Sequence, residues 1–334
     1  MASGVLRTSR PLGALEDHEA QFFGDAPRTP RYAVFNAAPA EAGLSAWRLR
    51  YQTRDLIAPS ETVSGLVYGP DGLARLNGAV DLGLSSGGAF GMSAVGRMLM
   101  ARPAEVLPQG TIIERDFPNT YGDYCSEDHK VLVLSDDVLE PVIFPKSFET
   151  RDYLHRDMTR LGLSYCFADR VLRIETARVL RKANPFSYWS AAEVQAYRAR
   201  LGVVDCPPRP GSVLYLSRQN VVSHRVGGSG PIDTRHVAKV VRSLGGQVVD
   251  TEGLYFEDFQ RLAGEAETVI ADHGAAMFNA LLWRPRQVIE LVPDDWWSPC
   301  FVVLSQHLGV ERHITLNVES RPDLEAALRR FTRH

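Results

Sequence analysis

The chain has 334 residues, 45% of them hydrophobic, with 37 lysines and arginines against 40 aspartates and glutamates. That length suits two domains, each with its own core. A net charge of -3 excludes a global basic field for long nucleic acid or for an anionic membrane surface.

Residues 1–31 mix proline, glycine and charge without period and read as a flexible arm. They hold no apolar export-type segment, and no later run approaches the roughly 18 apolar residues of a membrane span. The expectation is a cytoplasmic protein without an integral membrane segment. From residue 32 to about 110 the signals are short: AVFNA, ETVSGLVYG and the glycine-rich GLSSGGAFGMSAVGRMLMAR. Gly83, Gly87, Gly88 and Gly91 would let backbone amides approach an anion. The G-K-[ST] ending of a phosphate loop is missing, and a plain loop entering a helix is the competing reading.

KVLVLSD and PVIFP then read as strands, and ETRDYLHRDMTRLGL (149–163) has apolar residues at helical spacing. WSAAEVQAYRARLGV predicts a helix starting near Ser190, an acceptable N-cap. Alternating β and α elements point to a parallel sheet. The three prolines of DCPPRPG (205–211) can join neither a helix interior nor a central ladder. They separate a unit at 32–204 from one at 211–318, with a terminal helix at 319–334. Cys125, Cys166, Cys206 and Cys300 form no C-x-x-C pair, so reduced and mostly buried thiols are expected rather than zinc or disulfides.

The second unit alternates clearly. SVLYLSR is a strand, DTRHVAKVVRSLGG a helix capped by Asp233 or Thr234 and stopped by Gly245 and Gly246, QVVDTEG a strand and YFEDFQRLAGEA a helix. ETVIADHG, AAMFNALLW and QVIELVP complete a right-handed, doubly wound series with its ligand crevice at the carboxyl ends of the strands.

Asp272, His273 and Gly274 fall where a strand ends and a helix begins, a place that favours an anion; Asp272 as a simple helix cap is the competing reading. Ser217, Arg218 and Arg225 follow the SVLYLS strand, so two guanidiniums can converge on the crevice that His273 faces. The planar fork of arginine matches phosphate oxygens. Glu252 follows the next strand, and Glu290 lies on another, positioned to accept hydrogen bonds from ribose hydroxyls. Trp296 and Trp297 either stack on a base or sugar or close a core.

This order resembles the carboxyl-terminal half of the family 61 glycosyltransferases. Their H-G-A-x-x-x-N followed by v-i-E is matched by His273, Gly274, Ala275, Asn279, Val288, Ile289 and Glu290. FPNTYGDYCSEDHKVL is similar to the family's Y-G-D/H-x-x-x-E segment, through Tyr121, Gly122, Asp123 and Glu127. The resemblance spans 214–293 closely and 119–163 less so. One departure is RVGGSGPIDTRH, which stands where members carry R-x-I-x-N-E, so the contacts of that Asn-Glu pair do not carry over.

The resemblance implies a GT-B architecture, two Rossmann-like domains facing across a cleft. It further implies a nucleotide-diphosphate sugar held mainly by the second domain and a carbohydrate or glycoconjugate acceptor, as in polysaccharide assembly. Inverting transfer needs a base for the acceptor hydroxyl and stabilisation of the departing diphosphate. The chain has no D-x-D, and Asp136-Asp137 and Asp294-Asp295 are adjacent pairs that would diverge on a strand. Neither a cofactor nor a divalent metal is therefore expected; Arg218, Arg225 and amides near Gly274 would hold the diphosphate. Asp123 is the first choice of base, with Glu127 orienting or replacing it; both as carboxylates complementing a helix dipole is the competing reading. His273 either hydrogen-bonds the diphosphate or sugar or is structural. Two other functions share these features: a nucleotide-sugar epimerase of GT-B architecture and a non-catalytic nucleotide-sugar-binding protein.

Overall fold

The computed structural model describes residues 15–23, 34–39, 44–52, 60–81, 92–114, 124–182, 189–217, 232–251, 254, 256–280, 282–292, 298–318 and 324–332. Strand β1 (Leu15–Phe23) is followed by β2 (Val34–Pro39) and β3 (Leu44–Gln52). β1 runs parallel to a strand near the far end of the chain, Arg312–Asn317, and antiparallel to β3, which in turn pairs with β2. The flexible-arm reading is thus corrected over 15–23. The segment LEDHEAQFF has no apolar period of its own, and its backbone groups are satisfied by a distant partner. The same pairing joins 34–52 to the carboxyl-terminal sheet rather than to the unit expected from residue 32.

A second sheet begins with β4 (Ser60–Tyr68), β5 (Ala74–Leu76) and β6 (Ala79–Asp81), followed by α1 (Met92–Met100) and β7 (Glu105–Ile113). A π-helical turn, Tyr124–His129, runs directly into α2 (Lys130–Leu134). KVLVL is therefore helix, not strand. All five residues are buried, and a run buried on every side carries no period that separates the two. Then come β8 (Val142–Pro145), α3 (Asp152–Leu161), β9 (Tyr165–Ala168), β10 (Leu172–Leu180) and α4 (Ala191–Arg200). α4 starts where its cap chemistry places it. Ser190 Oγ accepts from Glu193 N at 3.1 Å, and the Glu193 carboxylate accepts from Ser190 N at 2.8 Å.

The order of this sheet is β6-β5-β4-β10-β7-β8-β9. β10, β7, β8 and β9 are parallel, and β4 to β6 extend it antiparallel. Its winding reverses between β7 and β10.

The carboxyl-terminal series is β11 (Arg209–Ser217), α5 (Thr234–Ser243), β12 (Gln247–Asp250), α6 (Phe256–Ala263), β13 (Ala266–Asp272), α7 (Ala276–Ala280), β14 (Gln287–Val292), α8 (Cys300–His307), β15 (Arg312–Asn317) and α9 (Leu324–Thr332). Asp233 caps α5 by accepting from His236 N at 3.0 Å, and Gly245 ends it at a φ of 79° that an L side chain resists. The sheet order is β12-β11-β13-β14-β15-β1-β3-β2, parallel from β12 to β1. Helices cover both faces. Val213, Tyr215, Ile270, Ile289 and Leu316 pack with α5 and α9. On the other face Leu214, Val269 and Val288 join Phe301 of α8 and, without a break, Tyr124, Phe144 and Trp189 from the second sheet's elements.

The expected α/β class holds, with one largely parallel and one mixed sheet. Among the described residues no helix is long and apolar enough to cross a membrane. The four cysteines form no disulfide; Cys125 and Cys300 are buried, Cys166 half-buried and Cys206 exposed.

Candidate functional site

An open parallel sheet offers a ligand crevice outside its carboxyl strand ends, where the winding reverses. In the carboxyl-terminal sheet that point lies between β11 and β13. Ser217 closes β11 and Asp272 closes β13. Ser217 is buried, and among the described residues its hydroxyl has no hydrogen-bond partner. Asp272 is buried too, and one of its oxygens accepts from Tyr215 Oη at 2.9 Å, tying the two strands together.

His273 carries the β ladder one step further, its N–H donating to Leu291 O at 2.8 Å. Gly274 then turns the chain into α7 at a φ of 150°, which L side chains rarely adopt. Ala275 follows half-buried. The His273 ring is pinned from two sides. Phe301 meets it edge-on, with centroids 5.3 Å apart, and Nδ1 hydrogen-bonds Glu290 Oε1. Glu290 Oε2 accepts from His313 Nε2 at 3.1 Å and from Thr315 Oγ1 at 3.3 Å, while His313 Nδ1 lies 2.7 Å from Ser305 Oγ.

Glu290 is fully buried. Burial pushes its carboxyl upward, but His273 and His313 outweigh that effect and hold it down at about 2. Both oxygens are occupied by protein donors, so the carboxylate holds two histidines in place.

His313 and Ser305 escaped the sequence reading. The signal for His313 was alternation in RHITLN, where His313 and Thr315 share one face and Ile314 and Leu316 the other. The register sets Thr315 directly beside Glu290 and His313 beside Val288.

Asn279 lies elsewhere on α7. It is buried against a cavity of about 20 Å³ shared with Cys125, Trp189, Tyr197 and Leu304, where the two sheets' helices meet. Glu127 sits in the π-helical turn without exposed surface, and Lys182, just beyond β10, donates to it at 2.6 Å. A second buried pair adjoins it: Lys130 Nζ lies 3.5 Å from Glu193 and 4.8 Å from the Trp189 ring centroid. Burial lowers the proton affinity of Lys130 and of His129, whose Nδ1 meets Tyr197 Oη at 2.6 Å. Lys130 and Lys182 were not singled out in the sequence, where nothing marks them as buried.

Tyr121, Gly122 and Asp123, Arg218 and Arg225, Glu252, Trp296 and Trp297, and the glycines from Gly83 to Gly91 lie outside the described residues. The structure thus brings together His273 and Glu290, with Ser217 and Asp272 on adjoining strand ends. Glu127 lies in the π-helical turn between β7 and β8 of the other sheet. Set against models of known protein families and against curated proteins, the chain matches none.

Proposed function

We propose that the chain transfers a glycosyl group from a nucleotide-diphosphate sugar to an acceptor hydroxyl, with inversion, within a GT-B arrangement of its two sheets. One observation carries this reading: the strand order β12-β11-β13-β14-β15 reverses its winding between β11 and β13, and Ser217 and His273 stand at those two strand ends. This is the doubly wound order in which a nucleotide phosphate sits outside the carboxyl ends of the strands. The resemblance of His273, Gly274, Ala275, Asn279 and Glu290 to family 61 glycosyltransferases supports the sugar-transfer chemistry.

In this proposal the acceptor oxygen attacks the anomeric carbon as the bond to the diphosphate breaks, and the diphosphate leaves with the electron pair. Arg218 and Arg225, which follow β11, offset the charge that develops there, in place of a metal ion. Asp123 takes the acceptor proton. Glu127, without exposed surface and hydrogen-bonded by Lys182 at 2.6 Å, orients Asp123 or replaces it in this proposal.

Calorimetry with nucleotide diphosphates and their sugars tests the reading. Arg218→Ala and Arg225→Ala should each weaken nucleotide-diphosphate binding by about 1.5–3 kcal/mol, the scale of a charge-assisted hydrogen bond. Unchanged affinity in both variants removes them from the site. Nucleotide diphosphate should be released in quantity only when an acceptor is supplied; interconversion of two nucleotide sugars without acceptor would make the chain an epimerase.

A further inference from the structure

We infer that the face of the second sheet that carries α1 docks on an anionic lipid bilayer, with Leu99, Met100 and Val106 entering its apolar boundary and Arg97 and Arg102 meeting its phosphates. Among the described residues four large apolar side chains are exposed, and these are three of them, at 44%, 83% and 57%. They share one face. The ladders of β4, β10 and β7 set Val67, Arg173 and Val106 side by side, and Val67 shares an apolar cluster with Met98 of α1. Leu99 and Met100, the residues that end α1, therefore stand on the side of the sheet where Val106 emerges. Arg75 fixes that helix end by donating to the carbonyl oxygens of Met98, Leu99 and Ala101 at 2.5–3.1 Å. The face lies at the amino ends of β7 and β10, so docking leaves the carboxyl ends of these strands uncovered.

The charges around these side chains leave a positive surplus. Arg170 lies 2.9 Å from Asp169 and 3.7 Å from Glu105, and Arg173 lies 2.9 Å from Glu175. Asp71 sits in the turn after β4, beside Lys146, whose N–H donates to Pro70 O at 3.1 Å. These acids are matched by Arg170, Arg173, Lys146 and Arg75. Arg97 and Arg102, both exposed, are additional, and neither has an ion pair among the described residues. A net charge of -3 excludes a global basic field but not this local one.

An anionic membrane matches both halves of the surface: its acyl boundary takes the apolar side chains, and its phosphates take the guanidiniums. A second copy docking by two-fold symmetry would set Arg97 and Arg102 against their own equivalents, and like charges would meet. The docking needs no nucleotide sugar and stands apart from the proposed reaction.

Sedimentation of the full chain with phospholipid vesicles tests it. The wild type should bind phosphatidylglycerol vesicles at low ionic strength, bind phosphatidylcholine vesicles about tenfold more weakly, and leave the former as salt is added. Arg97→Gln and Arg102→Gln should each weaken binding to phosphatidylglycerol by about fivefold, the weight of one cation at such a surface. Met100→Ser should weaken it by about tenfold. Val204→Ser, at the fourth exposed apolar side chain and away from this face, should change nothing. All the substituted residues are exposed, and an unchanged thermal midpoint in each variant shows that the fold is kept.

A wild-type chain that ignores phosphatidylglycerol vesicles overturns the inference, as does a loss in Val204→Ser equal to that in Met100→Ser. Equal binding to both lipids, indifferent to salt, overturns the part given to the arginines. Light scattering without lipid covers the competing occupant: a dimer that Met100→Ser dissociates would assign the face to a second copy and overturn the docking on lipid.

Discussion

Glu290 is an anion without exposed surface, and its retention depends on donors rather than on solvent. Its carboxyl is held at about 2, below the ordinary value of 4.5. A depressed folded-state value contributes stability that is present above the unfolded value and lost as the pH falls through the folded one. Wild-type protein should therefore lose on the order of 3 kcal/mol from this group between about pH 5 and about pH 2. Glu290→Gln cannot ionise, so it should be less stable at neutral pH by a similar amount and decline more gently in acid. Urea unfolding at both ends of that window checks this, and parallel stability curves for the two proteins would contradict it. His273 and Glu290 were legible as candidates from their motif. Their bond to each other and to His313 was not, because it depends on the register between β14 and β15, which no local pattern encodes.

Helix α4 shows how one side chain can serve two structures. Glu193 completes the capping box with Ser190, and it is also the carboxylate beside the buried ammonium of Lys130. Glu193→Ala should cost about 3–5 kcal/mol by equilibrium unfolding, because Lys130 stays buried when that charge is gone. Glu193→Gln keeps the cap chemistry and removes only the charge, so it separates the two roles. A loss below about 1 kcal/mol in the alanine variant would show that Lys130 does not depend on this pair. Elements with terminal chemistry were legible: Ser190 and Asp233 mark the starts of α4 and α5, and Gly245 the end of α5. α2 was not, since two valines and two leucines, buried on all sides with Lys130, look alike as helix or strand. The turn before it adds a further difficulty. A π-helical segment from Tyr124 to His129 shifts the side-chain phase, so spacing arguments made on an α-helix do not carry across it.

At the scale of the whole molecule, two α/β sheets share one apolar cluster, and the proline-rich stretch at 205–211 links elements that remain packed together through α4, α7 and α8. The alternation of elements after residue 211 was readable because each parallel strand is followed by a helix of its own. The join between β1 and β15 was not, since it is a contact between the two ends of the chain. Deleting residues 1–52 removes β1, β2 and β3 and turns β15 into a bare edge of buried alternating residues. Such a variant should associate, as measured by light scattering, and melt earlier than the full chain. A monomeric variant with an unchanged midpoint would show that β15 needs no neighbour.

The same pairing imposes an order on assembly. On the ribosome β1 emerges long before β15, so the nascent β1 has no parallel neighbour until the elements between them have left the exit tunnel. The β1–β3 antiparallel pair is available earlier, and it is the natural waiting state for that strand. Closure of the sheet through β1 thus waits on the synthesis of β15, and slowing translation should lengthen that wait.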